Sequence, residues 1–365
     1  MWDYYLAQDF ASRFIGGIIF ILLFFSIILL IGILISRTVT NRKEKKQTYW
    51  NDRFQNLLVK ILFEPDYAKG QSKYQKIVDK YNARTLPKLV RRCLVDNMME
   101  LHKGVSGESA IVLQDFYMDV NLDYYAKVDV KRGAWYYKAR GFRELSEFND
   151  KSAYKLIVKY VDHDNKILRQ EAQYAAVVLK GPEALDFVPK LKTPISEWQQ
   201  LVLLEKLIKF MPEDIPNVDN WLLSDNDSVI IFASRIIAHF QKFQSGEKVL
   251  VHVLHERPYV AVKCLECIKE LQFKRGCGKL REFYPKVKPE VQVRILDTLS
   301  ELGDTGDLNF FKHEIEEREH FDIAMHAALA LRELGGKAIL KILDNKELKF
   351  PKNKEIVRHA LDERI

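Results

Sequence analysis

The longest apolar run of the chain lies close to its start. Residues Phe14 to Ile35 read FIGGIIFILLFFSIILLIGILI and contain no charged residue. At about 1.5 Å per residue, a helix of this length covers a hydrocarbon core of about 30 Å. We therefore predict a transmembrane helix over residues 14–36. A cleaved signal peptide is the less favoured alternative, because two aspartates stand among the first nine residues and no small-residue cleavage site follows.

Lysine and arginine are distributed unequally about this segment. Only Arg13 precedes it, whereas five cations follow it within a few residues, namely Arg37, Arg42, Lys43, Lys45 and Lys46. The positive-inside rule then places a short N-terminus, residues 1–13, outside and the rest of the chain in the cytoplasm. We expect a basic juxtamembrane linker at residues 37–48. Aromatic residues suited to the outer interface are Trp2, Tyr4 and Tyr5.

Beyond residue 49 the apolar positions follow a helical period, and one pattern recurs at a longer period. The set i, i+4, i+7, i+8 and i+11 lies on one helix face. Its eight copies start at Tyr137, Leu168, Gln199, Val229, Val260, Val291, Ile323 and Ile356. The starts are 31, 31, 30, 31, 31, 32 and 33 residues apart. Such a period is typical of a repeat architecture.

A second, shorter amphipathic segment lies between successive copies, so each unit reads as a helical hairpin. A lone hairpin cannot bury its apolar faces, whereas stacked hairpins share a continuous core. We therefore predict an all-α fold, in which hairpin repeats form an α-solenoid over residues 131–365 with a polar C-terminal cap. Residues 49–130 read as irregular N-terminal repeats with an insertion near residues 104–129.

The repeat resembles a known family. The segments DHDNKILRQEAQYAAVVLKGPEALDFVPKL and KPEVQVRILDTLSELGDTGDLNFF are similar to HEAT repeats, particularly the short bacterial kind found in the phycobilisome-lyase group. The chain departs from the pattern at Glu144 and Lys206, where an apolar residue is usual, and at Glu363 and Arg364 in the last copy. The resemblance implies a binding scaffold. It does not imply lyase activity, because repeats are shared more widely than any chemistry.

Composition adds limits to this picture. Hydrophobic residues make up 47% of the chain and charged residues 29%, which is typical of an ordered protein. The net charge of +7 is small for 365 residues, so we expect no nucleic-acid partner. The four cysteines fit a reducing compartment.

One group of residues suggests a metal site. His252 and His255 precede Cys264 and Cys267, and imidazole and thiolate ligands suit tetrahedral zinc. Both cysteines, however, occupy apolar positions of the repeat, where a free cysteine packs as a small hydrophobic residue. We treat the four as a weak metal candidate. We expect no cofactor, and no nucleophile elbow, phosphate loop or paired-carboxylate motif predicts catalysis.

Positions i+3, i+6 and i+10 of the pattern fall together on the helix face away from the apolar set. We define this as the predicted stripe and expect it to line the concave face. Apolar and cationic residues in its centre suggest a protein-binding site comprising Tyr174, Val178, Val202, Phe232, Arg235 and His239. The alternative is that these side chains pack against neighbouring helices.

Together these patterns predict a membrane-anchored cytoplasmic scaffold of HEAT-like repeats that recruits or organises other proteins at the membrane. Single-pass proteins of this kind resemble uncharacterised bacterial companions of membrane glycosyltransferases, which implies the bacterial inner membrane and a polysaccharide or signalling complex. The alternative is a membrane-tethered metal-dependent or lyase-type enzyme that uses His252, His255, Cys264 and Cys267.

Overall fold

The computed structural model describes the backbone of residues 10–362 and the side chains of residues 14–362. The predictions made for the N-terminus at residues 1–13 and for Glu363 and Arg364 therefore lie outside the described side chains. Within the described range the regular structure is helical throughout and contains no strand, so the all-α prediction is confirmed. The α-helices are connected by short loops and by turns of 3₁₀ helix.

The 18 α-helices of the described chain are numbered in order. They are α1 (Phe10–Phe63), α2 (Ser72–Lys80), α3 (Lys88–Gly104), α4 (Glu108–Asp119), α5 (Leu122–Arg132), α6 (Trp135–Glu147), α7 (Tyr154–Ile157), α8 (Lys166–Lys180), α9 (Glu197–Leu207), α10 (Asp227–His239), α11 (Gly246–Val251), α12 (Pro258–Glu270), α13 (Cys277–Phe283), α14 (Pro289–Leu302), α15 (Leu308–Glu317), α16 (Phe321–Glu333), α17 (Lys337–Asn345) and α18 (Pro351–Leu361).

Helix α1 has 54 residues and is unusually long. Its N-terminal part is long and apolar enough to cross a membrane, and none of its most apolar stretch is buried within the protein. The helix continues without a break through residues 37–48, where we predicted a linker. No proline or glycine interrupts that stretch, so the i to i+4 hydrogen bonds continue. The last turns of α1 bury Phe54, Leu58 and Ile61.

The chain divides into two compact units. Unit 1 comprises residues 1–132 and 147–149, and its core forms where the end of α1 packs against α3 and α4. Large side chains fill this core, including Leu94, Phe116 and Tyr117, each fully buried. The predicted insertion near residues 104–129 is helical, because it forms most of α4 and α5.

Unit 2 comprises residues 133–146 and 150–365 and contains the repeats. The eight predicted starting points fall in eight different long helices, namely α6, α8, α9, α10, α12, α14, α16 and α18. Seven of them are the third residue of their helix, whereas Ile356 is the sixth residue of α18. The apolar set is buried as its spacing requires, for example at Leu168, Ala172 and Ala176. The two residues that depart from the predicted apolar pattern are accommodated differently. Glu144 is buried, whereas Lys206 is half-buried and donates to Glu205 at 2.9 Å.

Packing between the long helices is regular from α10 to α18 and sparser before α10. Helix α10 packs on α12, α12 on α14, α14 on α16 and α16 on α18. Most of these long helices also pack against the short helical element that precedes them in the chain. The element before α9, residues 181–190, packs mainly against α8 instead. As a result, α9 contacts α10 sparsely, and we call this place the α9–α10 junction.

Side chains fasten the loops of successive repeats to one another. Asp162 accepts hydrogen bonds from the backbone N–H groups of Lys192 and Thr193, each at 3.0 Å. Burial of Asp162 raises the pKa of its carboxyl, but the Thr193 hydroxyl and these two N–H groups outweigh burial and hold that pKa below its ordinary value. In the next loop, the Asn226 amide donates to the carbonyl oxygens of Leu191 at 3.1 Å and Thr193 at 3.2 Å. The segment before α9 is thus held from both sides.

Candidate functional site

The six residues of the predicted protein-binding site occupy different environments. Tyr174, Val178 and Val202 are half-buried, as is Arg235, and His239 is exposed. Phe232 is fully buried, and its ring centroid lies 6.3 Å from that of Trp221. The expectation that Phe232 belongs to a binding surface is therefore wrong. Helix α10 is covered by the 219–223 turn and by α12, so its i+3 position points into the core.

Charged residues of the predicted stripe pair with one another across neighbouring helices. Arg143 on α6 donates from Nε to Glu171 on α8 at 3.3 Å. The Lys206 ammonium lies 5.6 Å from the centroid of the Tyr174 ring, within the range of a cation–π contact. The Arg143–Glu171 pair neutralises two charges of the stripe, and both contacts join side chains of neighbouring long helices.

Helix α9 carries an exposed apolar face that lies beside this stripe. Trp198 is 73% exposed, Leu201 is 48% exposed and Ile208, just after the helix, is 52% exposed. Their spacing of three and seven residues places them on one side of the helix. The buried residues of α9 lie on the other side and are Gln199, Gln200, Leu203 and Leu207. Large side chains exposed in a row of this kind are typical of a surface that another molecule covers.

A groove of about 290 Å³ opens beside this face, between α9, α10 and α12. Leu201 and Leu204 of α9 form one wall, and Ala238 and Cys267 add apolar surface from the two other helices. Charged and polar side chains also line the groove, namely Arg235, His239, Lys263, Glu266 and Glu270. The structure therefore brings two predicted residues, Arg235 and His239, to the same groove.

Glu197 links the three helices around the groove. Its carboxylate accepts a hydrogen bond from Arg235 Nη2 at 2.9 Å and one from the Tyr259 hydroxyl, and Lys263 Nζ lies 3.7 Å away. The Tyr259 hydrogen bond, with smaller contributions from the two cations, lowers the pKa of Glu197. Burial and the same hydrogen bond raise the pKa of Tyr259 to about 12. Glu197 thus stays ionised and fixes the positions of both cations.

A larger cleft of about 770 Å³ lies on the other side of Glu197, at the N-terminal ends of α9 and α10. The loops at residues 189–195 and 223–228 form its walls. Gln200 fastens these loops together, because its Nε2 donates to the carbonyl oxygens of Ile195 at 3.3 Å and Ser228 at 3.1 Å. Both openings therefore lie at the α9–α10 junction, where packing between the long helices is sparse.

The four residues of the weak metal candidate are not gathered into a site. Cys264 and Cys267 lie buried on α12, and burial raises the pKa of each thiol, that of Cys264 to about 11. The ring centroids of His252 and His255 are 6.4 Å apart. No group of three or more His, Cys, Asp or Glu side chains in the described part of the chain is arranged to hold a metal ion. A thiol with a raised pKa is a poorer metal ligand, because binding requires the thiolate.

The exposed face of α9 was missed by reasoning from the sequence, although the repeat contains a signal for it. Trp198 stands one residue before the start of its copy, and the equivalent residues 31 positions apart are Tyr136 and Ile167. All three are exposed. The apolar set begins one residue later in each copy, so it does not include this exposed position, which is the second residue of each helix.

Comparison with known proteins identifies no relative of this chain. A scan against protein-family models finds no match, and a search of curated proteins finds no similar sequence.

Proposed function

We propose that this protein is a single-pass membrane protein whose HEAT-like repeats form a solenoid scaffold and bind a protein partner at the α9–α10 junction. The single observation that carries the proposal is the exposed apolar face of Trp198, Leu201 and Ile208 next to a groove. Full burial of an exposed large apolar side chain contributes about 1.5–3 kcal/mol, and these side chains are already partly covered, so a partner that covers them gains about half of that for each. Tryptophan is also one of the residue types enriched at interface hot spots.

The scaffold part of the proposal is supported by the repeat. Eight copies at a period of about 31 residues, the HEAT resemblance and the contacts between successive long helices from α8 to α18 all favour a stacked array. Arrays of this kind present extended surfaces to other proteins.

The membrane part of the proposal is supported by α1. Its apolar stretch is followed by cations, which favours a cytoplasmic location for the repeats. The helix runs on without interruption into the core of unit 1, so about 26 Å separates Arg37 from Phe54 at 1.5 Å per residue. An anchored scaffold searches for membrane partners in two dimensions, which raises their effective concentration.

Location and orientation are tested together by cysteine labelling. The four native cysteines are buried, so an added Ile342→Cys thiol on an exposed site of α17 is the main target of a membrane-impermeant maleimide. We expect the protein to remain in the membrane pellet after alkaline extraction. We also expect labelling only after the membrane is permeabilised. Labelling in intact cells would contradict the proposed orientation. Release of the protein by alkali would contradict a transmembrane anchor.

Partner binding is tested by proximity labelling from a C-terminal fusion in living cells. Three chains are compared: the natural sequence, a Trp198→Asp and Leu201→Asp double variant, and an Ile342→Asp control. We expect one or a few labelled neighbours that disappear only in the double variant. An identical set of neighbours in all three chains would contradict binding at the α9–α10 junction.

A further inference from the structure

The groove at the α9–α10 junction has a chemistry that indicates what it binds. Resting on the function proposed above, we propose that it takes a peptide segment of the partner in which an aliphatic or aromatic side chain stands next to a lysine or arginine. The apolar side chain enters between Leu201, Leu204 and Ala238, and the cation pairs with Glu270.

The size of the groove favours a side chain over a whole small molecule. Its volume of about 290 Å³ is at the lower limit of the roughly 300–1,000 Å³ found for small-molecule sites. The apolar wall belongs to a helix whose exposed face continues beyond the groove in both directions, to Trp198 and Ile208. A longer segment that lies along α9 and inserts one anchor covers all of this surface. An isolated small molecule does not.

The charge of the groove favours a basic partner. Two cations line it, but both are compensated: Arg235 pairs with Glu197 at 2.9 Å, and Lys263 pairs with Glu266 at 2.8 Å. Glu270 lines the same groove, is exposed, and its carboxylate takes part in no ion pair among the described residues. Counting Glu197 with the groove, three carboxylates face two cations. The one uncompensated charge is therefore negative, and a lysine or arginine beside the apolar anchor complements it.

Existing contacts also hold the groove in place before anything binds. The Glu197 carboxylate joins α9 to α10 through Arg235 and to α12 through Tyr259. A preformed groove costs less ordering on binding than one that must be assembled, so a short segment can bind measurably.

The experiment is a selection from a random peptide display library against the purified full-length protein in lipid nanodiscs. Four chains are compared: the natural sequence, Leu201→Asp, Glu270→Lys and the control Ile342→Asp. We expect peptides enriched on the natural chain to share an apolar residue next to Lys or Arg. Their affinity should fall about tenfold or more on Leu201→Asp and stay unchanged on Ile342→Asp. Selection on Glu270→Lys should instead enrich peptides with Asp or Glu beside the apolar residue.

Three results of the peptide selection would overturn the inference. They are the absence of any enriched motif, enriched peptides that bind Leu201→Asp as well as the natural chain, and a basic preference unchanged by Glu270→Lys. A dimer on mass photometry that Leu201→Asp abolishes would also overturn it, because the occupant would then be a second copy of this chain. If no peptide binds while proximity labelling still depends on Trp198 and Leu201, the proposed function stands and the peptide chemistry alone is rejected.

Discussion

Helices α9 and α10 occupy equivalent places in neighbouring repeats, yet they differ sharply in burial. Nine of the 13 residues of α10 are buried, including Phe232. Only four of the 11 residues of α9 are buried, and large apolar side chains cover much of its exposed side. The difference follows from their neighbours. The 219–223 turn packs on α10, whereas the element before α9 packs mainly on α8.

This contrast shows that position in a repeat does not decide exposure. The same place in the pattern is core in one helix and surface in the next, because burial depends on which element folds back onto the helix. Where a helix lacks one of its neighbouring elements, its apolar side chains are exposed, although the period of the sequence pattern is unchanged. An exposed apolar surface of this kind is typical of a place where another molecule binds.

The largest expected difference in stability is between Phe232→Ala and Trp198→Ala. Phe232→Ala should lower the free energy of unfolding by about 3–5 kcal/mol, because it empties a fully buried site. Trp198→Ala removes a larger side chain from an exposed site and should change the free energy of unfolding by about 0.5 kcal/mol or less. Denaturant unfolding of the full chain in detergent measures both. Equal losses would show that α9 is as tightly packed as α10.

A second comparison is between an ion pair whose carboxylate is buried and the pair at the junction, whose carboxylate is half exposed. Asp307 is buried and accepts from Arg281, as well as from the backbone N–H of Asp304 at 3.1 Å. Arg281→Ala leaves this carboxylate poorly compensated and should cost about 1.5–3 kcal/mol. Glu197→Gln breaks a pair that is half exposed and should cost about 1 kcal/mol or less. The same unfolding measurement ranks them, and a larger loss for Glu197→Gln would contradict the account.

A third effect concerns the attachment of α9 to the preceding repeat, and it depends on pH. The pKa of Asp162 is lowered in the folded protein, so its contribution to stability is fully present above the ordinary value of 3.8 and is lost as the pH falls below it. Asp162→Asn should therefore cost about 1–2 kcal/mol at neutral pH. The difference in the free energy of unfolding between the natural chain and Asp162→Asn should become smaller below about pH 4. A gap that stays constant with pH would mean that the charge of Asp162 contributes nothing.

The smallest effect is expected from the matched surface variants. Leu201→Asp and Ile342→Asp each replace an exposed aliphatic residue and should each lower stability by about 1 kcal/mol or less. Thermal unfolding followed by circular dichroism compares them directly. A much larger loss for Leu201→Asp would place that residue in the core and weaken its role as a binding surface.

Much of the fold could be predicted from the sequence, because local patterns determine it. The apolar set determines which face of each helix is buried, and all eight predicted starting points fall in separate long helices. The helical conformation of residues 37–48 was missed because charge composition suggested a linker, although nothing there breaks a helix. The binding site was only partly predicted: Arg235 and His239 line the groove, but Phe232 does not reach the surface. Whether a side chain is exposed depends on the elements that pack against its helix, and a repeat pattern in the sequence does not predict which elements these are.

Site-specific photo-crosslinking in intact membranes tests the central claim most directly. A photoreactive benzoylphenylalanine replaces Leu201 in one chain and the exposed Ile342 in a second. If the α9–α10 junction binds a partner, position 201 yields a discrete crosslinked product with another protein, and position 342 does not. No product from position 201, or the same products from both positions, would contradict the claim.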